Sequence, residues 1–490
     1  MRTSAATRLT RPWIAAALLA ALVLGSLFSL LVGPRSPRLG TSTTGDARLA
    51  ADVRAGVDPR GYQSLSVGRI ADGRATFAGA AARVGAAPTP ETPYEMGSIT
   101  KTFTGSLLAD GVERGELRLD DPLSKQLTEL AGTAVGELTL RQLATHTAGL
   151  PAFPDSMTAG VLLKVVSGEN TYDGSTAAML EATRTTKVTE PGRYRYSNLG
   201  MSLLGHAEAR AAGVADWPTL ATERILTPLR MTHTSFAMSA ADIPDGAATP
   251  HADNGWPTAN WYGPAFAPAG SSTWTTTQDV LTYAGAQLDG SAPGSRALGP
   301  LQQIPGGEIG LAWHLREVDG ESVTWHNGAT GGYRTILALD RDRRQAVVIL
   351  GNSTRDADRA GLQLAATPAG SPVTTVDRFK MALAGWSWPP VGLALWLSFG
   401  YAMLRGRSRL ALVSAALSGA AGLLALLAHG PWALVPAYVW GGLVAASLVL
   451  AAVGVRRGRD LPTYADRRRV WGWLSLVSAL VMVGLVVWTT

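Results

Sequence analysis

Five long apolar runs constrain this chain more than anything else in it. The first spans residues 13–32, and the other four lie at the far end, at 383–404, 410–428, 432–455 and 470–488. Crossing a bilayer core takes about 20 helical residues, and each run is near that length. Arg2, Arg8 and Arg11 precede the first run. A secretory signal has a shorter apolar core, about 7–15 residues, closed by a small-x-small cleavage site. Neither feature is clear here, so residues 1–33 are read as an uncleaved anchor.

The links between runs set an orientation. Arg405, Arg407 and Arg409 fill the link between the first two C-terminal runs, and Arg456, Arg457, Arg459, Arg467, Arg468 and Arg469 crowd the last. The middle link, around His429, Gly430 and Pro431, has no arginine or lysine. Basic loops stay cytoplasmic. Counting crossings predicts a multi-pass protein of the cell membrane with a cytoplasmic N-terminus and residues 34–380 outside. The formal charge of +6 therefore reads as a topology signal, and no nucleic-acid partner is expected. The C-terminal runs carry essentially no charge inside, unlike ion or proton pathways. Residues 383–490 are thus expected to be a four-helix platform, with Trp386, Trp388, Trp432, Trp471, Trp473 and Trp488 as interfacial anchors.

The outer segment reads as one mixed α/β domain at 61–370, behind a tether and first helix at 34–60. Residues 62–70 and 74–79 look like strands joined at Asp72-Gly73, a pair that tolerates the positive φ of a tight hairpin. Residues 322–326, 333–339 and 345–350 form a second strand group, the last two separated by the polar turn 340–344. Between these groups the periodicity is helical: Ile99, Phe103, Leu107, Leu108 and Val112 share one face, as do Val280, Tyr283, Ala284 and Leu288. An antiparallel sheet built from both ends of the domain, flanked by helices and with a helical region inserted, is the expected architecture.

Three motifs carry the chemistry. Ser98-Ile99-Thr100-Lys101 stands at the start of a predicted helix, where residues three apart share a face and an amine can serve a serine nucleophile. Tyr196-Ser197-Asn198 offers a phenol able to relay a proton and an amide able to bind a carbonyl. His326-Asn327-Gly328, followed by Ala329, ends a predicted strand where a missing side chain admits a ligand backbone. The chain has no cysteine, which excludes disulfides, thiol nucleophiles and cysteine-held metals. No metal or organic cofactor is implied.

In this order the motifs resemble those of the penicillin-recognising serine hydrolases, in particular the class C β-lactamase, D,D-carboxypeptidase and esterase branch. The stretch Leu138-Thr139-Leu140-Arg141-Gln142-Leu143-Ala144-Thr145-His146-Thr147-Ala148-Gly149-Leu150-Pro151 is similar to a segment of that branch, and so, more loosely, is Ala269-Gly270 followed by Thr275-Thr276-Thr277-Gln278-Asp279. The resemblance implies a β-lactamase/transpeptidase-like fold and an acyl-enzyme on Ser98. Lys101 and Tyr196 would move the serine proton, and Asn198, His326, Gly328 and Ala329 would bind substrate. The oxyanion would lie between the N–H groups of Ser98 and Ala329.

An ordinary lysine, with a pKa of about 10.4, is only about 0.04% neutral at pH 7, a deficit of about 4.6 kcal/mol. Lys101 must therefore be desolvated to act as base, or Tyr196 must take the role. Histidine at 326 replaces the lysine of most β-lactamases, which argues against efficient β-lactam hydrolysis. The expected function is hydrolysis of amide or ester substrates, D-amino-acid peptides or esters of the cell envelope. The alternatives are a sensor acylated by β-lactams and a scaffold without turnover. Partners of the C-terminal helices are not legible.

Overall fold

The computed structural model describes residues 11–32, 36–83, 87–371 and 389–464, apart from 159, 162, 163, 165–168, 256 and 430–437, and also positions 473, 476, 477 and 480. The chain divides into two compact units, Pro37–Val376 and a second made of Met1–Ser36 with Asp377–Thr490.

In the first unit the strands, in chain order, are β1 Ser42–Gly45, β2 Ser64–Ala71, β3 Arg74–Ala81, β4 Tyr94–Glu95, β5 Ser235–Phe236, β6 Thr273–Thr275, β7 Gln302–Ile304, β8 Gly307–Ile309, β9 His314–Val318, β10 Glu321–Ala329, β11 Arg334–Asp340 and β12 Gln345–Gly351. Nine of them form one sheet in the order β1-β3-β2-β12-β11-β10-β9-β8-β7, and β4-β6-β5 form a small second sheet. The ladder between β12 and β2, antiparallel with Val348 opposite Gly68, joins the two ends of the domain as expected. The β2–β3 hairpin turns on Asp72 (φ 51°) and Gly73 (φ 71°), the left-handed pair that matches strand twist.

β12 reads as an unbroken apolar run because both of its faces are covered. Val347 and Ile349 pack with residues of the helices Ala47–Gly56 and Asp358–Ala366. Val348 and Leu350 belong to the larger core on the other face, with Val280 and Tyr283 of Thr277–Asp289 and Phe103 and Leu107 of Lys101–Glu113.

One expectation needs correction. The supposed tether contributes β1, whose Thr43 pairs with Ala80 of β3, and Leu39 is buried. An edge strand needs only backbone pairing, so a Ser/Thr-rich segment suffices. The short strands β7–β9 have no counterpart among the predicted strands, because their Gln, Glu and Arg content hides any alternation. Residues 33–35 of the tether lie outside the described residues.

The second unit contains the helices Arg11–Val32, Pro389–Arg405, Arg409–His429 and Tyr438–Gly458. Among the described residues, Pro12–Leu31 and Tyr438–Gly458 are long and apolar enough to cross a membrane. These two meet along a seam of small residues. A Cβ on Gly25 would stand 2.5 Å from that of Ala445, and one on Gly442 would stand 2.4 Å from Ser26 Oγ. The arginine-rich ends also meet. Arg409 donates to the carbonyls of Gly458 and Arg459, and Arg457 to those of Met403 and Gly406. Trp386, Trp388, Trp432, Trp471, Trp488 and most of the 470–488 run lie outside the described residues.

Candidate active site

Ser98 sits in a 3₁₀ turn, Gly97–Thr100, and the helix proper begins at Lys101. Residues i and i+3 eclipse in such a turn, which stacks the Lys101 amine over the serine. Lys101 Nζ lies 2.7 Å from Ser98 Oγ and donates to the carbonyl of Ala269 at 2.7 Å. The lysine is fully buried, and burial alone holds its pKa well below the ordinary range. A neutral amine keeps one N–H on Ala269 and offers its lone pair to the Ser98 hydroxyl.

Tyr196 stands on the other side. Its ring centroid is 5.0 Å from Lys101 Nζ, and its phenol also contacts the Ser98 hydroxyl. The residue is 38% exposed at the cavity mouth, yet burial around its hydroxyl outweighs the Ser98 contact and pushes the phenol up. Asn198 opens the helix Asn198–Ala211, capped by Ser197 Oγ, which accepts the Gly200 N–H at 2.9 Å. Its Nδ2 donates to Tyr172 Oη at 3.2 Å, and among the described residues Oδ1 has no partner. These groups line a cavity of about 340 Å³, with Trp261, Ala269, Gly270, Ser271, Asn327 and Ala329 completing the wall.

The backbones at Ser98 and Ala329 pack closely because two positions lack side chains. Gly97 has φ 61°, and a Cβ there would fall 3.0 Å from Ala329 N; one on Gly328 would fall 3.2 Å from Ser98 N and 2.3 Å from Met96 O. Two backbone donors held at a nucleophile can stabilise an oxyanion.

His326 is placed differently from its neighbours. Strand alternation turns Asn327 toward Asp358, to which its Nδ2 donates at 2.6 Å, and His326 toward the site face. There His326 is fully buried and does not line the cavity. Its Nδ1 donates to Asn327 O at 2.6 Å, and its ring lies 6.3 Å from that of Tyr196 and 5.2 Å from that of His314. The His146 ring lies 4.5 Å from that of Tyr196, tilted by 42°, and accepts the Ser197 N–H at 3.3 Å, while His314 Nε2 pairs with Tyr194 Oη at 3.0 Å. Burial first, then the other histidines and Lys101, holds His146 and His326 well below the ordinary imidazole range. Burial and Lys101 lower His314 to about 4. Three neutral imidazoles thus gather beside the two tyrosines, His146 and His326 against Tyr196 and His314 against Tyr194. Among the described residues no group of three His, Asp or Glu side chains is arranged for a metal ion.

Tyr172, Trp261, Glu95, His146 and His314 were not singled out as site residues from sequence. His146 carried a signal, since it lies in the Thr145-His146-Thr147 stretch. The others reach the site from loops and strands without a local pattern. Ala269, noted only in a loose match, supplies the lysine's carbonyl acceptor.

Residues 49–369 match the family described as Beta-lactamase. Among curated proteins, the chain is 28% identical over 294 residues to the putative beta-lactamase-like 1 of Homo sapiens, covering 54% of this chain and 55% of that one. It is 31% identical over 155 residues to a beta-lactamase of Escherichia coli (strain K12), covering 31% and 37%. The matches span from about a third to just over half of these relatives' lengths. Among solved structures, a class C beta-lactamase from Rhodobacter sphaeroides superposes with a TM-score of 0.54 at 21% identity, covering 64% of this chain and 96% of that one. The octameric penicillin-binding protein homologue from Pyrococcus abyssi gives 0.57 at 21%, covering 69% and 80%, and a D-alanine carboxypeptidase from Burkholderia cenocepacia 0.52 at 23%, covering 62% and 94%. At such identities the likeness is one of fold.

Proposed function

The chain belongs to the Beta-lactamase family, and from that premise we propose that it is a membrane-anchored, extracytoplasmic serine hydrolase acting through an acyl-enzyme on Ser98. The observation that carries the reading is the buried Lys101 amine 2.7 Å from Ser98 Oγ, at the floor of a cavity. Ser98 Oγ attacks an amide or ester carbonyl as Lys101 takes its proton. Tyr196, in contact with the same hydroxyl, hands a proton to the leaving group and regains one from the Lys101 ammonium, which returns both groups to their starting state. The developing oxyanion accepts from the N–H groups of Ser98 and Ala329, and Asn198 holds a carbonyl on the acyl side. His326 supports Tyr196 from beneath, so substrate binding passes to Asn198, Gly328 and Ala329. The cavity wall shows aromatic and amide groups, which suits D-amino-acid peptides or esters of the cell envelope.

The membrane part of the reading rests on the arginines. The hydrogen bonds of Arg409 and Arg457 gather both basic ends at one end of the helical unit, as cytoplasmic loops of a multi-pass protein require. The small-residue seam between Arg11–Val32 and Tyr438–Gly458 supports an anchor that stays in the mature chain.

Intact mass after incubation with a fluorescent β-lactam or a fluorophosphonate, beside Ser98→Ala, tests the chemistry. One covalent adduct, absent from the alanine variant, is expected. An adduct that persists in Ser98→Ala would move the nucleophile elsewhere.

A further inference from the structure

Tyr172 is buried, lines the cavity beside Asn198 and takes no part in the proposed proton transfers. Its ring packs on three aromatic neighbours, with centroids 4.6 Å from Trp261 and 5.2 Å from both Phe153 and Phe266. Its backbone is tied as well. The Tyr172 N–H donates to Asn170 Oδ1 at 2.9 Å, and Asn170 Nδ2 donates to the carbonyl of Tyr262 at 2.8 Å. Trp261 is fixed in turn through its own N–H, which Glu95 Oε1 accepts at 2.8 Å. The Tyr172 hydroxyl therefore stands at a defined point of the wall, 3.2 Å from Asn198 Nδ2.

This pair holds more donors than it uses. A phenol carries one O–H and a primary amide two N–H, three hydrogens in all. One of them lies between the two residues, as the Asn198 Nδ2–H on Tyr172 Oη. Turning the amide over would put the phenol O–H on Oδ1 instead and leave both N–H groups open. Either way one hydrogen is consumed and two remain at the cavity wall. The phenol is protonated at neutral pH, since an ordinary tyrosine titrates at about 10 and burial pushes this one further up. Water can serve such donors in an open cavity, but a ligand that displaces it must bring an acceptor. A carbonyl oxygen, with two lone pairs, accepts from both. Among the described residues no arginine or lysine lines the cavity, so a carboxylate would be buried there without a counter-charge. The uncharged carbonyl of an amide or ketone fits better.

We propose that Tyr172 is a specificity-determining residue which, with Asn198, forms a two-donor clamp for an uncharged carbonyl on the acyl side of the substrate. That carbonyl is placed as the amide carbonyl of an N-acylated amino acid is. Plain alkyl acyl groups leave both donors unpaired and react slowly. The inference rests on the reading of Ser98 as nucleophile and of Asn198 as the group on the acyl side.

The test uses the full chain in detergent with the nitrophenyl esters of pentanoic acid and of its γ-keto analogue, which differ by one carbonyl oxygen at that place. Values of kcat/KM are measured for both esters in wild type, Tyr172→Phe and Asn198→Ala, with Ser98→Ala as blank. The wild type should prefer the keto ester by up to about 100-fold, about ten-fold for each donor. Tyr172→Phe keeps the ring and loses the O–H, so the preference should fall about ten-fold. A merely structural role would slow both esters alike and leave their ratio unmoved. Asn198→Ala should retain a preference of about ten-fold through the phenol alone, which reads the hydroxyl even if Tyr172→Phe does not fold. Equal rates on the two esters in wild type, an unchanged ratio in Tyr172→Phe, or no preference left in Asn198→Ala overturns the clamp. Absence of Ser98 acylation by both esters and by a fluorophosphonate overturns the Ser98 reading itself. Fluorophosphonate labelling without a keto preference overturns the clamp alone.

Discussion

Replacing Lys101 by methionine separates the catalytic amine from the space it fills. A positioned general base contributes about 10²–10⁴-fold, so Lys101→Met should slow acylation of Ser98 by that factor, about 2.7–5.5 kcal/mol of barrier. Stability should move the other way with pH. The amine is fully buried with its pKa depressed by burial, so the folded protein holds it neutral while the unfolded chain binds a proton below the ordinary value of 10.5. The unfolded state therefore binds more protons, and wild-type stability rises with pH by up to about 1.4 kcal/mol per unit between the folded and unfolded pKa values. It is complete above 10.5 and lost as pH falls toward the folded value. Against this, methionine forfeits two hydrogen bonds, to Ser98 Oγ and Ala269 O, worth about 1 kcal/mol each. At neutral pH the variant should then be as stable as wild type or more so, and the wild type should gain on it as pH rises. Fluorophosphonate labelling and denaturant unfolding from pH 7 to 10 read both quantities. Acylation within ten-fold of wild type, or a stability difference flat with pH, would refute a neutral lysine base.

Two further outcomes follow from the same neighbourhood. His314, lowered from 6.5 to about 4, contributes stability present above 6.5 and lost as pH falls, on the order of 2 kcal/mol between pH 7 and 5. His314→Gln should remove that part of the acid slope in chemical unfolding, and an unaltered slope would mean the imidazole is not held neutral. Gly328→Ala would bring a Cβ to 2.3 Å from Met96 O, beside Ser98 N, so about 1–3 kcal/mol of stability and most Ser98 labelling should be lost together. Labelling at the wild-type rate would show that the two amides need no such closeness.

The motifs were legible because each is local. Ser98 and Lys101 lie within one turn, Tyr196 and Asn198 at one helix start, and Gly328 and Ala329 at one strand end, so sequence spacing already fixes their neighbours. The central strands were legible for a related reason: burial on both faces forces β12 into an unbroken apolar run. Edge strands escaped, since Ser42–Gly45 joins the sheet through backbone groups that leave no mark on composition. So did the group of His146, His314 and His326. Its members come from a loop and two strands, and nothing in a one-dimensional pattern says that three imidazoles will gather beside Tyr194 and Tyr196. His326 also shows the limit of a motif. The strand position was anticipated, but which face the ring took depended on the register of β10 against β11.

The seam of Gly25, Ser26 and Ser29 against Gly441, Gly442 and Ala445 places a timing requirement on how such a chain is made. Its two sides come from opposite ends of the polypeptide. On the membrane reading, the first helix starts export and then waits in the bilayer, without its partner, while the whole hydrolase domain is synthesised and moved across. Only after that can the glycines of the late helix arrive and close against it. An ordinary export signal is finished once its passenger has crossed, and can be cut away and degraded. Here, removal would leave a glycine-lined groove facing lipid where a helix belongs. On that proposed reading, one segment would serve both as the address label for secretion and as a structural part of the finished membrane unit.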